Sequence, residues 1–216
     1  ISHAPDAHFL ADNAKFALGI VTGNNKEYIS SSKDYGYEMV LKGSDILRYS
    51  IKETSNYIRF APESFQQVAP TELYRAKEKL LYRFISEVPV FTYDDKQTIS
   101  LNSCNILIPQ IEGMEIKYIL AVLNSSVAAF FISKKFNSVK LLRSHIEALP
   151  IPMISVSRQR EIIENVDSIL DSPTNISEKY VEIDEAIMDI YQLTSLQRET
   201  IRNALKGKNL FLTLIS

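Results

Sequence analysis

The stretch KYILAVLNSSVAAFFISKKFNSVKLLRSHIEALPIP, Lys117–Pro152, decides how the rest of the chain is read. Apolar side chains at Ile116, Ile119/Leu120, Leu123, Val127 and Phe130/Phe131 recur at three- and four-residue intervals, which aligns them on one helical face. The spacing predicts buried helix over 116–133. Asn124 and Ser125 interrupt it, and short polar side chains compete for backbone hydrogen bonds, so two helices end to end are expected, with Ser125 capping the second. The apolar face then gives way to Lys134, Lys135, Lys140, Arg143 and His145, a basic surface. Leu149-Pro150-Ile151-Pro152 closes the stretch, because each proline moves its predecessor out of helical geometry.

Working outward toward the N-terminus, residues 1–15 are polar, and His3 and His8 have no partner at metal-ligand spacing, which makes them ordinary surface residues. Leu18–Val21, a turn at Thr22-Gly23-Asn24-Asn25 and Lys26–Ile29 are expected to form a β-hairpin. Further strands are predicted at Tyr37–Leu41, Tyr57–Phe60, Leu80–Ile85, Val88–Tyr93 and Ile99–Ile108. Pro70 opens a short helix ending near Lys79. The fold class is therefore α+β, a β-rich body (residues 1–152) with inserted and packed helices.

After Pro152 the apolar period changes. Ser157 is expected to cap a helix to about Leu170, with Ile162, Val166 and Ile169 in one stripe, stopped by Asp171-Ser172-Pro173. Asn175 and Glu178 have capping-box spacing before a second helix carrying Ile176, Tyr180, Ile183, Ile187 and Ile190. Thr194 and Gln197 open a third, ending at Lys206-Gly207. Residues 153–216 are thus an all-helical C-terminal region, which either packs on its own body or docks a partner.

Composition narrows the function classes. With 216 residues, 45% hydrophobic content and one cysteine, the chain has enough apolar material for a sizeable core and no internal disulfide, favouring a cytoplasmic, reducing setting. No apolar run reaches the roughly 18 residues of a membrane span. The opening Ile-Ser-His, without methionine, predicts a fragment of a longer protein. The net charge of −2 excludes a uniformly basic coat, yet Glu72–His145 holds ten Lys/Arg against seven Asp/Glu, while Ser157 onward holds seven against ten. Gly23 stands outside any phosphate-cradling glycine loop, Cys104 lies in an alternating strand without a local motif, Asp94-Asp95 marks a turn, and no triad, metal cluster or acid/base pair is visible.

In order along the chain, GIVTGNNKEYI (19–29), VLKGSDILRYSI (40–51), YIRF (57–60), KLLYRFISEVPVFTYDDKQTISLNSCNILIP (79–109), YILAVLNSSVAAFFI (118–132) and LLRSHIEALPIP (141–152) resemble one family. It is the TaqI-like C-terminal specificity domain of bacterial DNA adenine methyltransferases and single-chain (type II) restriction-modification enzymes, related to the specificity subunits of type I systems. IDEAIMDIYQLTSLQRETI (183–201) is similar to the family's tail, Ile-Asp followed by Leu-Tyr-Gly-Leu-Thr, with Ile190 and Gln192 in place of the Leu and Gly.

The resemblance implies a target recognition domain that reads a short double-stranded DNA sequence so that an adenine is flipped out and methylated at N6. The catalytic domain, with its S-adenosylmethionine, would lie N-terminal in the same parent chain, because Asn/Asp-Pro-Pro-Tyr and an S-adenosylmethionine loop are absent here. Groups able to address base edges or phosphates stand at Thr22, Asn24, Asn25 and Lys26, at Arg75, Lys77, Lys79 and Arg83, and at Lys134, Lys135, Lys140 and Arg143. The competing reading is a protein-interaction module whose helical tail docks a partner, with no DNA contact. An independent hydrolase lacks any constellation of catalytic groups.

Overall fold

In the computed structural model, which describes residues 1–172, 176–208 and 210, the chain runs β1 (Ala7–His8), β2 (Ala14–Ala17), α1 (Asn25–Tyr28), β3 (Ile29–Ser30), β4 (Glu38–Leu41), β5 (Ile46–Leu47), β6 (Ser50–Ile51) and β7 (Tyr57–Ile58). It continues through α2 (Thr71–Tyr74), β8 (Lys79–Arg83), β9 (Phe91–Asp94), β10 (Ile99–Ser100), β11 (Cys104–Pro109), α3 (Ile116–Asn124), α4 (Ser126–Lys135), α5 (Arg143–Glu147) and β12 (Ile151–Pro152). Helices α6 (Val156–Asp171), α7 (Ile176–Ile190) and α8 (Ser195–Ala204) follow.

Helix α3 is buried from Tyr118 to Asn124, which is why its sequence is apolar almost all round. One side of it meets the antiparallel sheet β2-β11-β8-β9. Alternation along the strands divides that sheet's side chains: Leu80, Tyr82 and Leu107 share a core with α3, while Leu81, Cys104 and Ile106 face the other way. There they pack on the second sheet, β10-β4-β7-β3, through Val40, Leu41, Ile58 and Ile99. Burial pushes the Cys104 thiol far above its usual range, so it is a small core side chain. Helices α6 and α7 present Ile162, Val166, Ile169, Tyr180, Ile183 and Ile187 to the same core as α3.

The break in the central helix lies where its sequence places it. Between α3 and α4 the axis bends by 60°, and Ser125 Oγ accepts from the Ala128 N–H while donating to the Val122 carbonyl. Asn124 behaves as a strand edge: its Oδ1 accepts from Phe91 N at 2.9 Å and its Nδ2 donates to Phe91 O at 3.0 Å. Ser126 N and Oγ both donate to Asp184 of α7 at 2.7 Å. Asn124 and Ser126 thus tie α3–α4 to the sheet and to α7, while Ser125 shapes the break itself. Among the described residues, no single helix is long and apolar enough to cross a membrane.

Several boundaries differ from expectation, each for a local reason. The hairpin over 18–29 does not form. Ile20 bridges Leu101 in parallel and Val21 bridges Gln67 in antiparallel, so this segment is shared between two partners, and the Asn24 carbonyl accepts from Glu27 N and Tyr28 N to start the short helix α1. Gly23, at φ +84°, makes the turn before it. The helix opened by Pro70 stops at Tyr74, because Lys79 has entered β8 and its Nζ donates back to the Tyr74 carbonyl at 2.8 Å. The strand predicted over 99–108 splits into β10 and β11 around a turn, with Cys104 N donating to Leu101 O. Ser155, not Ser157, caps α6, accepting from Arg158 N. The capping box at Thr194 and Gln197 forms, whereas Asn175 lies outside the described residues.

Candidate nucleic-acid interface

The end of the second sheet carries a cleft of about 380 Å³ lined by Asn25, Lys26, Ile29, Ser30, Ser31, Lys42, Ser55 and Asn56. No carboxylate is among these lining residues. Lys42 follows β4, and its Nζ donates to Asn56 Oδ1 at 2.7 Å. Asn56 is fixed in turn, with its carbonyl accepting from Val40 N at 3.0 Å and its amide donating to Thr54 Oγ1. Gly43 lets the chain after Lys42 approach the 101–104 turn: Gly43 N donates to Ser103 Oγ at 2.9 Å, and a Cβ there would stand 2.4 Å from the Ser103 carbonyl oxygen. Asn25 and Lys26 are exposed on the opposite lip.

Not every candidate residue reaches the surface. Thr22 is buried, and its hydroxyl donates to Asn25 Oδ1 at 2.6 Å, so it shapes the turn and leaves the Asn25 amide nitrogen for an outside acceptor. Lys79 is fully buried, with Nζ 2.5 Å from Asp94 Oδ2, and cannot meet a phosphate. Arg83 donates through Nε to the Ile46 carbonyl at 2.7 Å, and burial lowers its pKa; it braces β8 against β5. Arg75 forms a bidentate pair with Glu38 at 2.7 and 2.6 Å and lies 5.2 Å over the Phe60 ring, so its charge is already matched. Burial thus corrects Thr22 and Lys79 from DNA contacts to structural residues, while Arg75 and Arg83 are half-buried and held by partners within the chain.

The exposed remainder falls into separate groups. Asn24, exposed beside Asn25, donates its amide to Glu27, and Lys77 is exposed after α2. Lys134 and Lys135 cap the end of α4 over Phe130, Phe131 and Phe136 and flank a groove of about 450 Å³ against α8. Lys140 is exposed on the segment that bridges Ile85, and Arg143 pairs with Glu147 while covering Phe16 at 5.0 Å. His145 is buried and stacked on Phe136, its Nδ1 accepting from Leu142 N. It braces α5. Among the described residues, no three His, Cys, Asp or Glu side chains gather where a metal ion could be held.

Residues 38–151, more than half of the chain, match the model of the TaqI-like C-terminal specificity domain. The chain belongs to that family. The matched segment runs from β4 to β12 and so contains Lys42, Asn56, both main sheets' central strands and the α3–α4 break. No curated protein gives a significant sequence match. Among solved structures, the specificity domain is similar to the type IIL restriction-modification enzyme MmeI in complex with DNA, at a TM-score of 0.64 and 13% identity over 98% of this chain and 36% of that one. It is also similar to a structure from a type I restriction-modification system, at a TM-score of 0.51 and 14% identity over 94% of this chain and 46% of the other. The chain therefore spans less than half the length of either.

Lys42, Asn56, Ser30 and Ser31 were absent from the sequence-derived set. The one sequence signal for Lys42 is its position in LKGSD, where a glycine after a lysine permits close packing. Nothing local marks Asn56 as its partner, since the pair is fourteen residues apart and meets only through the β4–β7 pairing.

Proposed function

We propose that this specificity domain reads a short duplex DNA sequence for a bacterial, cytoplasmic restriction-modification adenine methyltransferase, holding the target adenine's neighbourhood while a catalytic domain N-terminal in the same chain methylates it. Family membership over residues 38–151 carries the reading. Supporting it, the MmeI structure was determined with DNA, and this chain shares that fold over nearly its whole length. Chemistry on a base requires that the base leave the stack, and a grip on the flanking duplex offsets part of the unstacking cost. The methyl donor, S-adenosylmethionine, belongs to the catalytic domain in this reading, and the isolated chain is expected to transfer no methyl group.

Division of labour follows from exposure and rigidity. Lys26, Lys134, Lys135 and Lys140 are exposed ammonium groups suited to phosphates, whereas Asn25 and the cleft side chains offer directional donors and acceptors suited to base edges. Four phosphate contacts predict a salt slope near −3.6, hence about a hundredfold weakening between roughly 50 and 200 mM salt. Fluorescence titration of a random-sequence duplex at those two concentrations tests it. Binding that is absent, or indifferent to salt, would favour the protein-interaction reading instead.

A further inference from the structure

The cleft contains one cation unlike the others. Lys42 is half-buried and its ammonium is clamped by Asn56, which is itself anchored to Thr54 and to β4, whereas Lys26, Lys77, Lys134, Lys135 and Lys140 are exposed. Holding a phosphate requires charge but little positional precision. Discriminating one base from another requires donors fixed to within about 0.5 Å. An ammonium has three hydrogens, and Asn56 Oδ1 takes one, which leaves two donors directed away from that bond.

Resting on the DNA reading above, we propose that Lys42 is a specificity-determining residue that donates to the O6/N7 edge of a guanine in the major groove, with Asn56 as its positioning residue. Guanine presents two acceptors on that edge, matching the two remaining hydrogens. Adenine and cytosine each present an amino donor, which opposes an ammonium, and thymine offers a single acceptor beside a methyl group. The cleft walls agree with a base edge more than with a phosphate. Asn25, Ser30 and Ser31 supply both donors and acceptors, of which a phosphate uses only donors; among the described residues the Lys42 ammonium is in no ion pair, the Asp45 carboxylate accepting from the Lys42 backbone N–H at 2.8 Å instead.

Selection of bound sequences from a randomised duplex pool, by the unmodified chain and by Lys42→Met and Asn56→Ala, tests the assignment. Methionine keeps the aliphatic stem, and circular dichroism with thermal melting checks that both variants fold. The expected result is that one position selected as guanine by the unmodified chain loses about tenfold preference in Lys42→Met and part of it in Asn56→Ala, while the preferences at the other selected positions stay unchanged. Uniform weakening by Lys42→Met with a salt slope reduced by about one would make Lys42 a phosphate contact and overturn the assignment while leaving the DNA reading intact. An unchanged guanine preference in Lys42→Met would overturn it equally. Failure of the unmodified chain to bind any duplex would overturn the DNA reading and this assignment with it.

Discussion

Lys79 Nζ and Asp94 Oδ2 form an ion pair at 2.5 Å in which neither side chain retains appreciable solvent exposure. Asp94 also accepts from Thr98 N at 2.9 Å and Thr98 Oγ1 at 2.6 Å, and Lys79 donates to the Tyr74 carbonyl, so the pair joins β8, β9 and the end of α2. Burial lowers the Lys79 pKa, with Asp94 acting against that shift. Lys79→Met leaves Asp94 buried and unpaired and is expected to destabilise the fold by about 3–5 kcal/mol in urea unfolding. The double variant Lys79→Met/Asp94→Leu removes both charges and should recover much of that loss. A DNA-binding defect in a Lys79 variant that keeps full stability would contradict this structural role.

Gln192 occupies the left-handed region at φ +53°, at the turn between α7 and α8. A non-glycine residue there costs about 1–2 kcal/mol, partly offset in a glycine variant by the entropy of its unfolded chain. Gln192→Gly should therefore stabilise the domain by up to about 1 kcal/mol. A lower urea midpoint for this variant would show that the Gln192 side chain contributes contacts worth more than the strain.

His145 links stability to pH. Burial among α5 and Phe136 holds its imidazole below the usual value near 6.5, with the Lys140 backbone acting against the shift. On acidification the unfolded chain takes up the proton first. The stabilisation is therefore fully present above about pH 6.5 and is lost as pH falls through the folded-state pKa. Melting temperatures measured from pH 8 to 5 should fall more steeply for the parent than for His145→Asn, which cannot titrate in that range. Parallel curves would remove His145 as the cause.

Asn25 and Lys135 should fail differently. Asn25 does not hold the positive φ of its turn, a role taken by Gly23, and its amide nitrogen faces no partner among the described residues. In the intact parent, Asn25→Ala should cost about 1–3 kcal/mol at one base position and relax discrimination there, whereas Lys135→Ala should weaken all sequences alike and lower the salt slope by about one. Titrations on a panel of single-base variants at two salt concentrations separate the two outcomes.

What could be read from the sequence was set by how local the deciding interactions are. The helices expected over 116–133, which run on to Lys135, their break at Asn124-Ser125 and the Thr194–Gln197 capping box are signalled by neighbours within four residues, and they form. The Gly-Asn-Asn turn was ambiguous because the same residues that turn a hairpin also start a helix; what decided was pairing of Ile20 with Leu101 and Val21 with Gln67, far along the chain. Cations posed the same difficulty. Lys79 and Lys135 look alike in composition, and only the Asp94 partner fifteen residues away buries one of them. Lys42 is marked in the sequence only by the glycine after it, and its partner becomes visible only where β7 brings Asn56 beside it.

The central claim is that this domain distinguishes sequences, and repeated selection from a randomised duplex pool by the purified chain at low salt tests it most directly. The account predicts convergence on one short motif that competes for binding better than scrambled duplex of equal length. A pool that remains random after several rounds, despite retained salt-dependent binding, would reduce the domain to a phosphate holder and contradict the account.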